Sequence, residues 1–131
     1  IYTILPILTA FVLKNIPFLF KGNDIKFRLS DRWYGKVEIK YDTEWGRVCN
    51  NDWDDTDASV VCKQLGYVDG RMERNGLSRP HGAGYVRMDN VQCKGSESSI
   101  LECKHTASWK PKLSTCSDAA VVCNVTSKYT D

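Results

Sequence analysis

Six cysteines lead the residues that can do chemistry here: Cys49, Cys62, Cys93, Cys103, Cys116 and Cys123. Thiols can pair with one another, hold a soft metal ion or act as nucleophiles. Their spacing separates these uses. There is no Cys-x-x-Cys pair, the intervals are wide and irregular, and the first 48 residues hold no cysteine. The short-spaced ligand pairs of a zinc site are therefore missing. An even number of cysteines in a chain of 131 residues reads as a disulfide framework. That places the protein outside the reducing cytosol and leaves no thiolate for catalysis. Each bridge closing a long loop adds about 2–4 kcal/mol, mainly by restricting the unfolded chain.

Other catalytic constellations are absent. The two histidines, His81 and His105, fall in loop-like stretches. Cys103 lies near His105, but pairing of the thiol removes the nucleophile. No Gly-x-Ser-x-Gly, His-Glu-x-x-His or phosphate-loop pattern occurs. The chain reads as a non-enzyme.

Charge points to docking. Arg71, Arg74 and Arg79 crowd one stretch with His81, and Arg87 follows. Guanidinium forks suit sulfate, phosphate and carboxylate groups. Asp69 and Glu73 share the stretch and partly neutralise it, so ordinary surface charge is the competing reading. A formal charge of +2 gives no ground for nucleic acid as a dedicated partner. Asp52, Asp54, Asp55 and Asp57 are close in sequence and read as a solvated acidic helix start. Asn124-Val125-Thr126 is an acceptor pattern for glycosylation at Asn124. The tryptophans at 33, 45, 53 and 109 read as core and loop anchors.

The elements that must position these groups follow from periodicity. In Lys36-Val37-Glu38-Ile39-Lys40-Tyr41, apolar and charged residues alternate, which predicts a strand with one wet face. Asp42-Thr43-Glu44 is a turn, and residues 45–49 are the returning strand. Ala58, Val61, Cys62 and Leu65 share a helical face. Asp55-Thr56-Asp57 offers capping oxygens and Gly66 a stop, predicting a helix over 56–65. Cys62 on the apolar face needs a partner from the sheet beneath. Residues 69–84 form a loop with Asn75-Gly76 as a tight turn. Residues 85–89 return to strand alternation, 98–103 form a short helix or turn, 104–115 a loop, and 119–125 a buried strand. One helix among short strands predicts a compact α+β domain.

The N-terminal end differs. Residues 1–13 carry no charge, and a second apolar stretch runs from 16 to 20. The uncharged run falls short of the roughly 20 residues that cross a bilayer. Residues 1–22 suit a truncated signal peptide or membrane segment; a loosely docked arm is the alternative. The organisation is therefore 1–22, a domain over 23–126, and a tail over 127–131.

Several segments, in order, carry a resemblance. They are Gly35-Lys36-Val37-Glu38-Ile39, Trp45-Gly46-Arg47-Val48-Cys49, the stretch 57–66 (DASVVCKQLG), the stretch 88–97 (MDNVQCKGSE) and Asp118-Ala119-Ala120-Val121-Val122-Cys123. Together they resemble a scavenger receptor cysteine-rich domain over about residues 25–125. Trp33 and Tyr67 stand where the eight-cysteine form has a further bridge, so the chain resembles the six-cysteine, group A type. The bare count leaves many pairings open. The resemblance implies Cys49–Cys116, Cys62–Cys123 and Cys93–Cys103, and a small disulfide-stapled α+β fold in which a curved antiparallel sheet cradles one α-helix.

The resemblance also implies calcium sites. The family's Cys-Asp-Asp opening reads Cys49-Asn50-Asn51 here, and Ser117 stands where a Glu would precede the last cysteine. Calcium prefers several anionic oxygens, so this site is expected to be weak or absent. At a second family site Asp89 is retained as the one candidate ligand, while Asn90 and Thr115 depart from the pattern. Glu97 matches a family position and suits a loop-structuring role equally. No cofactor is expected beyond weak calcium binding. The implied function is an extracellular, non-catalytic module that docks protein or polyanionic ligands through loops, in a membrane-anchored or secreted protein. The rival is an accessory domain of a lysyl-oxidase-like protein or a membrane-bound serine protease, with catalysis in another domain. A stand-alone inhibitor or toxin is disfavoured, since nothing resembles an inhibitory loop.

Overall fold

The structure, a computed structural model, describes residues 25–41, 43–74, 84–107 and 114–125. The apolar segment 1–22, the Asn75-Gly76 turn, Arg79, His81, the loop around Trp109, Thr126 and the tail 127–131 lie outside these residues.

The alternation seen in sequence becomes β1 (Lys26–Leu29), β2 (Tyr34–Tyr41) and β3 (Glu44–Val48). Val37 and Ile39 face the core, as does Leu29, while Lys36, Glu38 and Lys40 face outward. Next come α1 (Asp55–Gln64), β4 (Gly70–Met72), β5 (Val86–Gln92), a 3-10 turn at Ile100–Glu102, β6 (Lys104–Ala107) and β7 (Ala120–Cys123). The strand order is β4-β7-β2-β3-β5-β6, with β1 added on β2. The expected curved sheet around one helix is present. Its pairs are antiparallel except β3–β5, which run parallel, so the sheet is mixed.

The curl comes from β2. Its first residues, Tyr34 to Lys36, pair with β7, whereas Val37 to Tyr41 lie among β1 and β3. Gly35 sits at this change of partner with φ +128°, and a Cβ there would meet Ser30 Oγ at 2.4 Å. Only glycine takes up that backbone without strain. The Ser30 hydroxyl accepts from the Lys36 N–H at 2.8 Å and fixes the corner.

Helix α1 starts one residue earlier than expected because Asp54 is the N-cap. Its carboxylate accepts from the Asp57 N–H, and the Asp57 side chain accepts from the Asp54 N–H, a reciprocal capping box. The helix ends in paired bonds from Gly66 N–H to Lys63 O and Tyr67 N–H to Cys62 O, with Gly66 at φ +97°. Its buried face packs on β4 and β7. Val61 and Cys62 join Val37, Ile39, Trp53, Met88, Val91 and Val121 in one core. Trp53 is the one described tryptophan buried there, and its Nε1 donates to the Ala120 carbonyl at 3.2 Å. Trp33 is exposed and Trp45 half-buried on the outer sheet face, so these two are not core anchors.

Candidate functional site

Three covalent ties hold the scaffold: Cys49–Cys116, Cys62–Cys123 and Cys93–Cys103, with Cα–Cα separations of 5.8, 5.4 and 4.7 Å. Cys62–Cys123 joins the buried helix face to β7. Gly70 lets β4 pass over it, since a Cβ there would lie 2.2 Å from Cys62 Sγ. No free cysteine remains. His105 Nδ1 lies 2.6 Å from the Cys103 carbonyl, a local structural contact.

A buried ionic knot braces the same frame. Arg47 and Asp118 are almost fully enclosed, with Arg47 Nε donating to Asp118 Oδ1 at 2.6 Å. The guanidinium also donates to the carbonyls of Ser114, at 2.8 Å, and Cys116. Lys36 Nζ stands 3.4 Å from Asp118 Oδ2. Both residues lie in the family motifs quoted above. The sequence carries no signal for their pairing, because they are 71 positions apart.

Of the arginines expected to form a patch, Arg71, Arg74 and Arg87 are described. Arg71 is exposed on β4 and lines a shallow hollow with Asp69, Gly70 and Asn124. Arg74 is exposed, and its Nη2 stands 4.0 Å from the Asp55 carboxylate. Arg87 is only 8% exposed, so its assignment as a ligand-binding residue is corrected. The β3–β5 register shifts between Arg47 and Val48, which breaks simple alternation and buries Val86, Arg87 and Met88 in succession.

A different basic surface forms on the outer face of β1, β2 and β3. Lys26 lies directly opposite Lys40, and Lys40 opposite Trp45. The Arg28 guanidinium sits 3.8 Å over the Trp45 ring and donates to Glu38 at 2.9 Å. Lys40 Nζ is 5.9 Å from the same ring. Trp45 thus aligns two cations on one flat strip. Nothing in the linear order brings Lys26 and Lys40 together; the hairpin register does.

The acidic groups divide by role. Asp57, read from sequence as solvated, is buried, and its Oδ1 accepts from the Cys93 N–H at 2.7 Å. Burial pushes its carboxyl up to about 6; the backbone donors oppose this and the neighbouring Asp54 carboxylate adds to it. Asp55 accepts from the Met72 N–H at 2.9 Å. Asp89 Oδ2 accepts from Asn51 Nδ2 at 3.2 Å, and Asp52 Oδ2 from Gln92 Nε2 at 3.1 Å. Glu97 folds its own loop. Bonds from the Lys94 N–H, then from Gly95, hold its carboxyl below the usual range. Asn124 is exposed, and its backbone N–H donates to the Asp69 carbonyl.

The model of the scavenger receptor cysteine-rich domain matches residues 29–124. The chain belongs to this family. The domain is 41% identical over 104 residues to a galectin-3-binding protein of Pongo abelii, covering 77% of this chain and 18% of that protein. It is 36% identical over 91 residues to lysyl oxidase homolog 3A of Danio rerio, covering 70% and 12%. Among solved structures it resembles the dimeric form of the scavenger receptor cysteine-rich domain of mouse MARCO. The TM-score is 0.60 at 37% identity, covering 70% of this chain and 86% of that one. The chain thus spans less than a fifth of these curated relatives' length.

Proposed function

We propose that this scavenger receptor cysteine-rich domain is a non-catalytic extracellular docking module whose polyanion-binding face is the outer strip of β1–β2–β3. The register of Lys26 against Lys40 carries the reading. Like charges held directly opposite on a sheet repel each other, and a sulfate or carboxylate bridging them removes that cost. Arg28, stacked on Trp45, adds a fork beside the pair. The strands are rigid, so little conformational entropy is lost on binding. The fully paired cysteines support an oxidising, extracellular setting.

An accessory domain of a larger enzyme is the second reading, favoured by the likeness to lysyl oxidase homolog 3A. A catalytic region in the same polypeptide would support it. Either protein can use the same strip. Heparin chromatography tests the face. Wild type is retained at low salt and elutes earlier as salt screens the contacts. Lys26→Ala with Lys40→Ala weakens retention, while Arg71→Ala with Arg74→Ala changes it less. Absence of low-salt retention, or the opposite ranking of the two variants, refutes the assignment.

A further inference from the structure

We propose that side-chain amides close the junction between the 50–52 loop and β5 in place of a divalent cation, so that the domain sets these loops without calcium. The family resemblance implies an ion held by carboxylates at positions 50, 51 and 117. The fold brings those positions together: the Asn50 N–H donates to the Ser117 carbonyl at 2.9 Å, and Asn51 reaches across to β5. The side chains present are two amides and a hydroxyl.

Two carboxylates remain at the junction, and each meets an amide. Asn51 Nδ2 donates to Asp89 Oδ2 at 3.2 Å, and Gln92 Nε2 donates to Asp52 Oδ2 at 3.1 Å. One bond runs from the loop to the strand and the other from the strand to the loop, so the two segments are cross-tied. The other Asp89 oxygen, Oδ1, accepts from the Asn90 N–H at 2.8 Å. Asp52 and Asn90 hold φ of 64° and 53°, a left-handed region that Asp and Asn tolerate better than other side chains. The crossed bonds thus fasten a loop and a strand that both bend sharply. Calcium takes six to eight oxygens, several of them anionic. An NH2 group aimed at each carboxylate offers hydrogen where the ion needs oxygen.

Calcium titration by calorimetry, with thermal unfolding in calcium and in chelator, tests it on the wild type and on Asn51→Asp. The wild type is expected to show no saturable uptake up to about 1 mM, the weak end for extracellular calcium modules. It should melt at the same temperature in both buffers. Asn51→Asp sets a third carboxylate beside Asp52 and Asp89; it should melt lower in chelator and recover with calcium. If Asn51→Asp does not fold, Asn51→Ala serves instead: it should melt below wild type and be indifferent to calcium. Saturable uptake by the wild type, a calcium-raised wild-type melting temperature, or a position-51 variant as stable as wild type in chelator overturns the proposal.

Discussion

Single residues show where this domain concentrates its stability. Asp57 is enclosed yet joins the helix cap to the segment after β5, through the N–H groups of Asp54 and Cys93. Burial raises its folded pKa to about 6 from an ordinary value near 4. The protonated form is therefore favoured by folding. This contribution is fully present below pH 4 and is lost as pH rises through 6. After allowing for the exposed Asp54 partner, the loss is on the order of 1–2 kcal/mol. A carbon-detected titration of the Asp57 carboxyl should give a midpoint near 6, and one near 4 would refute the shift. Arg47 is the second focus. Arg47→Ala takes the guanidinium away from buried Asp118 and strips donors from two carbonyls. The expected cost is about 3–5 kcal/mol in urea unfolding. Replacing both, Arg47→Met with Asp118→Leu, should cost less than the single change.

At the scale of elements, the position of the missing fourth bridge is covered by non-covalent contacts. Tyr67 Oη donates to the Arg32 carbonyl at 3.0 Å, and the Trp33 carbonyl accepts from the Cys123 N–H at 2.6 Å. The segments that another cysteine pair would join are thus already adjacent. Trp33→Cys with Tyr67→Cys should form a fourth disulfide. In the chain-entropy account it would add about 3–4 kcal/mol for a loop of roughly 34 residues. Mass spectrometry that finds both new thiols free would contradict this. The β2–β3 hairpin, the helix, β5 and β7 are legible in sequence, whereas β4 and β6 form within the stretches 69–84 and 104–115 that read as loops. Period-two alternation located β2, and the 3.6-residue spacing of Ala58, Val61 and Cys62 located α1. The helix start was misplaced by one residue because four nearby aspartates all resemble caps, and only geometry selects Asp54. The parallel β3–β5 pair was not legible, since local alternation encodes a strand's faces and not its neighbour. The same gap misassigned Arg87, which a register shift turns inward, and hid the Arg47–Asp118 contact. Lys26 and Lys40 leave no cluster in the linear sequence, because strand register alone builds their strip.

For the molecule as a whole, the sulfur ties and the curled sheet do one job: they present a fixed outer face. The core takes in the helix and the Cys62–Cys123 and Cys93–Cys103 bridges, while the cations of β1 and β2 stand on the outer face of the sheet. A ligand that meets this face encounters a strip already in register. The most direct test is amide chemical-shift mapping on the labelled domain as a short heparin oligosaccharide is added at low salt. The account predicts shifts concentrated at residues 26–28, 38–40 and 44–46, fading as salt is raised. Shifts centred on residues 70–74, or none at any point of the titration, would contradict it.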